Sequence, residues 1–142
     1  MSPKPAIIIV TGSFSPVDAY DDTIAPLRAQ GYEVIVPALP SIGKKPGPPP
    51  TLYDDANLIA SEAERFVDDG KDVVLIAHSY GGVVASQAVK GLSKKERESQ
   101  GKKCGIVRIG YLTALVPDEG KVGGSANDPE MKSSIEVDEV SF

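Results

Sequence analysis

The sequence predicts an α/β fold, a parallel sheet of right-handed β-α-β units with helices on both faces. Short runs rich in β-branched and apolar residues recur at Ala6–Val10, Glu33–Pro37, Val73–Ala77 and Gly105–Leu115, the composition of strands in a parallel sheet. The segments between them carry helical spacing and close on glycine, at Gly31 and Gly70. Strand and helix therefore alternate along the chain, which is the signature of parallel crossover connections.

The 142 residues suit one domain, long enough to bury about two-thirds of its unfolded surface. A hydrophobic content of 41% and a charged content of 25% are ordinary for a globular protein. The net charge of −5 argues against nucleic acid or an anionic membrane as partner, and no apolar run approaches a membrane span. Cys104 is the only cysteine, so neither an intrachain disulfide nor a cysteine-based metal cluster is available. No metal or organic cofactor is implied. Met1-Ser2-Pro3-Lys4-Pro5 leads straight into the first strand without a signal-peptide cleavage pattern, and a cytoplasmic location is the expectation.

The first strand, Ala6–Val10, is followed by the loop Thr11-Gly12-Ser13-Phe14-Ser15-Pro16. Val17 to Gln30 reads as a helix that Pro26 should bend or shorten. Glu33–Pro37 is the second strand, ended by its proline. Ala38 to Pro50 is too rich in proline and glycine for a helix or a central strand and reads as a surface loop. Thr51 and Asp54 form a capping box. Behind it Ala56, Ile59, Ala60, Ala63, Phe66 and Val67 make a one-sided apolar stripe. The third strand follows Asp72 and reads as buried on both faces. The stretch Ser93–Lys103 carries many charges and reads as a solvated helix end and loop. Gly105 to Leu115 is the fourth strand, ending at Val116-Pro117. Residues 1–117 thus form the core, and the glycine-rich, polar stretch 118–142, with one short strand candidate at Ser134–Val140, reads as the start of a separate cap. The first strand should lie between the second and the third, since a reversal of winding direction is needed to cover both faces. Ligands in such sheets bind at that reversal, beyond the carboxyl ends of the strands. The loop Thr11–Ser15 and the turn His78–Gly82 should meet there.

That turn is the most informative stretch. Val73-Val74-Leu75-Ile76-Ala77 runs into His78-Ser79-Tyr80-Gly81-Gly82 and then into Val83–Val89. Strand, sharp turn bearing a serine, and helix form the context of a nucleophile elbow. A strand that becomes a helix within one residue forces Ser79 into strained backbone geometry. Ala77 and Gly81 then lie where strand and helix crowd together. The structural alternative is that Ser79 only caps the helix that follows it.

On these residues the chain resembles the α/β-hydrolase superfamily, in particular small esterases of the plant methylesterase and hydroxynitrile lyase type and their fungal and bacterial relatives. The resemblance rests on Ala77–Gly82, on Val10-Thr11-Gly12-Ser13-Phe14, on Ala25–Val34 and on Tyr111–Pro117, and so extends over most of Ala6 to Pro117. It implies that Ser79 is the nucleophile toward a small-molecule carboxylic ester. It implies that the backbone N–H of Tyr80 is one oxyanion-hole donor, and that of Ser13 or Phe14 the other. Gly12, His78 and Gly81 would support these groups from behind. Phe14 and Tyr80 hint at room for an apolar acyl group.

Two departures stand out. Relatives commonly carry His-Gly where this chain has Thr11-Gly12; the donor there is a backbone group, so the change need not disable the hole. More consequential, the family's acid and histidine follow the serine in chain order, and no residue from Tyr80 to Phe142 is histidine. His78 is adjacent to Ser79 on a sharp turn and should diverge from its hydroxyl, bracing the turn instead. Asp118 and Glu119 read as surface cap residues. The expectation is a serine ester hydrolase whose acid and histidine lie on a complementary C-terminal fragment or second chain. A catalytically incomplete short form acting as a binding or scaffold module, and hydroxynitrile-lyase-like chemistry on the same scaffold, are the alternatives. A nucleotide-binding domain is disfavoured, since neither a G-x-G-x-x-G after the first strand nor a G-x-x-x-x-G-K-[ST] is present.

Overall fold

The structure, a computed structural model, describes residues 3–118. Its centre is β1 (Ala6–Val10), in which every residue is buried. Two parallel partners flank it. β2 (Val34–Ile35) pairs through Ile7 with Val34 and Ile8 with Ile35. β3 (Val73–His78) pairs along the whole of β1, from Ala6 with Val73 to Val10 with Ala77. β4 (Ile106–Leu112) pairs with the far side of β3. The order β2-β1-β3-β4 places β1 between the second and third strands, as the chain reversal requires.

Alternation along β1 feeds two cores. Ala6, Ile8 and Val10 join Val73, Leu75 and Ala77 against α2 (Leu52–Asp68) and α3 (Gly81–Ala88). Ile7 and Ile9 point the other way and meet Val34, Ile24, Leu27 and Ile76, under α1 (Asp21–Ala29). Burying a side chain such as Ile8 or Leu75 contributes about 2–3 kcal/mol each. The second core is the thinner one, so β3 alternates between buried and half-buried residues rather than being sealed on both faces.

Local chemistry explains most helix ends. Thr51 Oγ1 accepts from the Asp54 N–H (3.4 Å), and the Asp54 carboxylate accepts from the Thr51 N–H (2.6 Å), closing the capping box that opens α2. The backbone N–H of Thr51, then its hydroxyl, holds the Asp54 carboxyl below its ordinary pKa. Ala56, Ile59, Ala63 and Val67 of the stripe are buried, with Ala60 and Phe66 half-buried beside them. Gly70 ends α2 at a φ of 84°, in the left-handed region that costs glycine nothing.

Four elements differ from their sequence reading. The helix expected from Val17 to Gln30 is a 3-10 turn, Val17–Tyr20, followed by α1. The change falls at Tyr20, and Pro26 is accommodated inside α1. The second strand keeps only Val34 and Ile35; it is an edge with one neighbour, and Pro37 has no N–H to extend the ladder. The fourth strand stops at Leu112, because Thr113 turns to a φ of 41°. The charged stretch after α3 is mostly exposed, as expected, but it is more than a helix end and loop. It holds a separate helix, α4 (Lys94–Ser99), with its own capping box from Ser93 and Glu96. Arg97 of α4 is buried, donating from Nε to the Cys104 carbonyl (2.6 Å) and from Nη2 to Asp68 Oδ1 (2.7 Å). The cap assigned to 118–142 lies outside the described residues apart from Asp118, which is exposed. No helix among the described residues is long and apolar enough to cross a membrane.

Candidate active site

The site is built where the chain leaves β1 and β3. β3 ends at His78, and Ser79 takes a φ of 52°, a left-handed conformation that costs a non-glycine residue on the order of 1–2 kcal/mol. The surrounding backbone holds it there. The Ser79 carbonyl accepts from the N–H groups of both Gly82 and Leu115, each at 3.0 Å. Two glycines make this possible. A Cβ on Gly81 would collide with the Val10 and Thr11 carbonyl oxygens, and one on Gly82 with the Leu115 carbonyl oxygen. The start of α3 is thus wedged between the end of β1 and the segment after β4. Tyr80, not Ser79, occupies the cap position of α3. Among the described residues the Ser79 hydroxyl makes no hydrogen bond.

The loop after β1 closes against this turn. A Cβ at Gly12 would sit 3.2 Å from Ser79 Cβ and 3.4 Å from His78 Nδ1, so glycine lets the two loops approach without crowding. The Ser15 N–H bonds back to the Gly12 carbonyl (3.3 Å), and between them Phe14 adopts a φ of 60°. Its ring is 92% exposed. Among the described residues the amides of Ser13, Phe14 and Tyr80 have no hydrogen-bond partner. Thr11 is fully buried, and its hydroxyl lacks a partner among the described residues.

Two tyrosines tie this site to the rest of the fold. Tyr20 Oη lies 2.8 Å from His78 Nδ1 and accepts from the Gly12 N–H at 3.1 Å. The Tyr80 side chain reaches a polar partner on α2. Its hydroxyl donates to Asp55 Oδ2 (2.8 Å). Asp55 is 0% exposed and also accepts from the N–H and Oγ–H of Ser41, at 2.9 and 2.5 Å. Burial, then the hydrogen bond and charge of Asp55, pushes the Tyr80 hydroxyl up to about 12. Neither Tyr20, Asp55 nor Ser41 was singled out from the sequence. Asp55 had a signal: it lies four residues before Ile59, on the buried stripe, where a carboxylate requires partners. Tyr20 and Ser41 had none. Among the described residues no group of three His, Cys, Asp or Glu side chains is placed to hold a metal ion. Asp118 is described but Glu119 is not.

A sequence profile described as "Alpha/beta hydrolase family" matches residues 7–134. The chain belongs to the alpha/beta hydrolase family. It is 39% identical over 126 residues to a probable hydrolase of Phoma sp., an alignment that covers 88% of this chain and 47% of that protein. It is 30% identical over 118 residues to a carbendazim hydrolyzing esterase of Nocardioides sp., covering 80% of this chain and 43% of the other. Among solved structures it is similar to an extracellular alpha/beta-hydrolase from a Paenibacillus species, with a TM-score of 0.66 at 21% identity, covering 92% of this chain and 49% of that one. This alpha/beta hydrolase chain spans about half the length of the curated relatives it matches.

Proposed function

We propose that Ser79 is the nucleophile of a serine hydrolase acting on small carboxylic esters. The observation that carries the reading is the left-handed Ser79 at the β3–α3 turn, with the Gly12 loop packed against it. In this reading Ser79 Oγ attacks the ester carbonyl, its proton passes to a base, and the tetrahedral oxyanion accepts from the N–H groups of Tyr80 and of Ser13 or Phe14. Those amides are unspent within the described residues. Collapse of the intermediate expels the alcohol and leaves an acyl-serine that water resolves. The esterase named among the relatives supports an ester as substrate.

The base is not His78. Among the described residues no hydrogen bond joins its ring to the Ser79 hydroxyl, its Nδ1 lying against Tyr20 instead, and the sequence has no other histidine. The reading therefore assigns the histidine and the acid to polypeptide beyond these 142 residues, a C-terminal fragment or a second chain. The test is labelling with a fluorophosphonate probe, with and without that polypeptide. Covalent labelling of Ser79 that disappears in Ser79→Ala supports the reading, with ester hydrolysis falling by roughly four to six orders of magnitude. Labelling or hydrolysis unchanged in Ser79→Ala rejects it.

A second reading, a binding or scaffold module without catalysis, draws on the exposure of β4, an edge that invites a partner. A stable monomer of this chain that hydrolyses no ester in any combination would favour it.

A further inference from the structure

We propose that Tyr20 is the positioning residue that locks the loop after β1 to the turn after β3, and so sets the distance between the two sides of the oxyanion hole. The proposal rests on the reading of Ser79 as nucleophile. Its geometric part stands without that reading.

A tyrosine O–H has one hydrogen to donate and lone pairs to accept. The Gly12 N–H donates to Tyr20 Oη, so one lone pair is used by the first loop. In the proposed arrangement the hydroxyl hydrogen goes to the nearest ring nitrogen, His78 Nδ1 at 2.8 Å. That orientation leaves His78 as the neutral tautomer with its proton on Nε2. One oxygen thus joins Gly12, the residue before the proposed donor Ser13, to His78, the residue before the proposed nucleophile. The rings reinforce it, meeting edge to face with centroids 6.0 Å apart. Tyr20 is well mounted for the task. It closes the 3-10 turn that precedes α1, and its ring packs on the core formed by Ile7, Ile9, Ile24 and Val34. The loop it holds is otherwise under-supported: Phe14 is left-handed, and the Thr11 hydroxyl lacks a partner among the described residues. A loop with few internal bonds, facing a donor geometry that must be held within about half an ångström, needs an external tie.

Because the chain has a single histidine, the imidazole nitrogens can be read directly by ¹⁵N NMR on the 142-residue protein. Two neutral-pH signals with the proton on Nε2, and a Gly12 amide protected from solvent exchange, are the expected result for the unsubstituted chain. Tyr20→Phe removes one oxygen and keeps the ring. It should shift the Nδ1 resonance and speed Gly12 amide exchange on the order of tenfold, with the exchange of Ile8 in β1 unchanged. In the enzyme supplied with its base, the same substitution should lower kcat about tenfold and leave KM within about twofold, a smaller loss than deletion of a donor. A wild-type His78 protonated on Nδ1 overturns the proposal, as does a Tyr20→Phe chain whose imidazole signals and Gly12 exchange match the wild type. An unchanged kcat beside altered NMR signals also overturns it, since the tie would then not position the site. Failure of the nucleophile reading is separate: it would appear as activity retained in Ser79→Ala, whatever Tyr20 does.

Discussion

β1 and β4 are parallel strands of the same sheet in opposite surroundings. All five residues of β1 are buried, whereas β4 buries only Ile106, and Leu112 is 55% exposed. Pairing with β3 does not account for the contrast, since both strands share it. What separates them is coverage. β1 has a strand on each side, α2 and α3 over one face and α1 over the other, while β4 has one strand neighbour among the described residues. A register shift at its start sets it apart further. Val73 faces Ile106 but Val74 faces Arg108, so Val107 is bulged out of the ladder, a common device at sheet edges. The site's two loops leave β1 and β3, the two inner strands of the sheet, and the backbone of Ser79 is therefore mounted on strands with a neighbour on each side.

Urea denaturation of single variants would test the contrast, beginning with the largest effect. Ile8→Ala in β1 should destabilise by about 4 kcal/mol, because the site is sealed on every side and cannot collapse onto the cavity. Gly81→Ala should cost about 3 kcal/mol, since its methyl would press on the backbone at the end of β1. Thr51→Ala, which removes a cap remote from both strands, should cost about 1 kcal/mol. Val107→Thr in β4 should stay within about 0.5 kcal/mol. A loss at Val107 equal to that at Ile8 would show that β4 is covered after all and would break the comparison.

The capping box adds a pH-dependent measurement. The folded-state pKa of Asp54 is depressed below its ordinary 3.8, so its contribution is present above that value and fades as pH falls through the folded pKa. The difference in thermal midpoint between wild type and Thr51→Ala should therefore narrow as the pH drops below 3.8. A gap that widens in acid would contradict the assignment.

Much of this was legible in the residues. Ala6–Val10 could be read as a strand because all five positions are apolar, and its central place followed from the need to cover both faces. Thr51 and Asp54 carry their structure in their spacing. The meeting of the Gly12 loop with the Ser79 turn followed from strand order. What could not be read depends on partners distant in sequence. Arg97 sits in a run of charges that looks solvated, and only the fold brings it to Asp68 and the Cys104 carbonyl. Tyr80 hinted at room for an apolar acyl group, yet its hydroxyl has a buried carboxylate to satisfy on α2. Tyr20 lies at the end of a 3-10 turn, where no periodicity marks which way a side chain points.

The central position of β1 also has a consequence for biosynthesis. β1 is translated well before its longer partner, which spans Val73–His78. Waiting for that partner rather than for Val34 adds under about 1 kcal/mol of loop-closure entropy. The delay matters more than the entropy. Until Ala77 clears the ribosome, five consecutive apolar residues present an open strand edge to every other nascent chain nearby. Expression yield should accordingly depend on holdase chaperones and on the pace of translation between Val34 and Ala77.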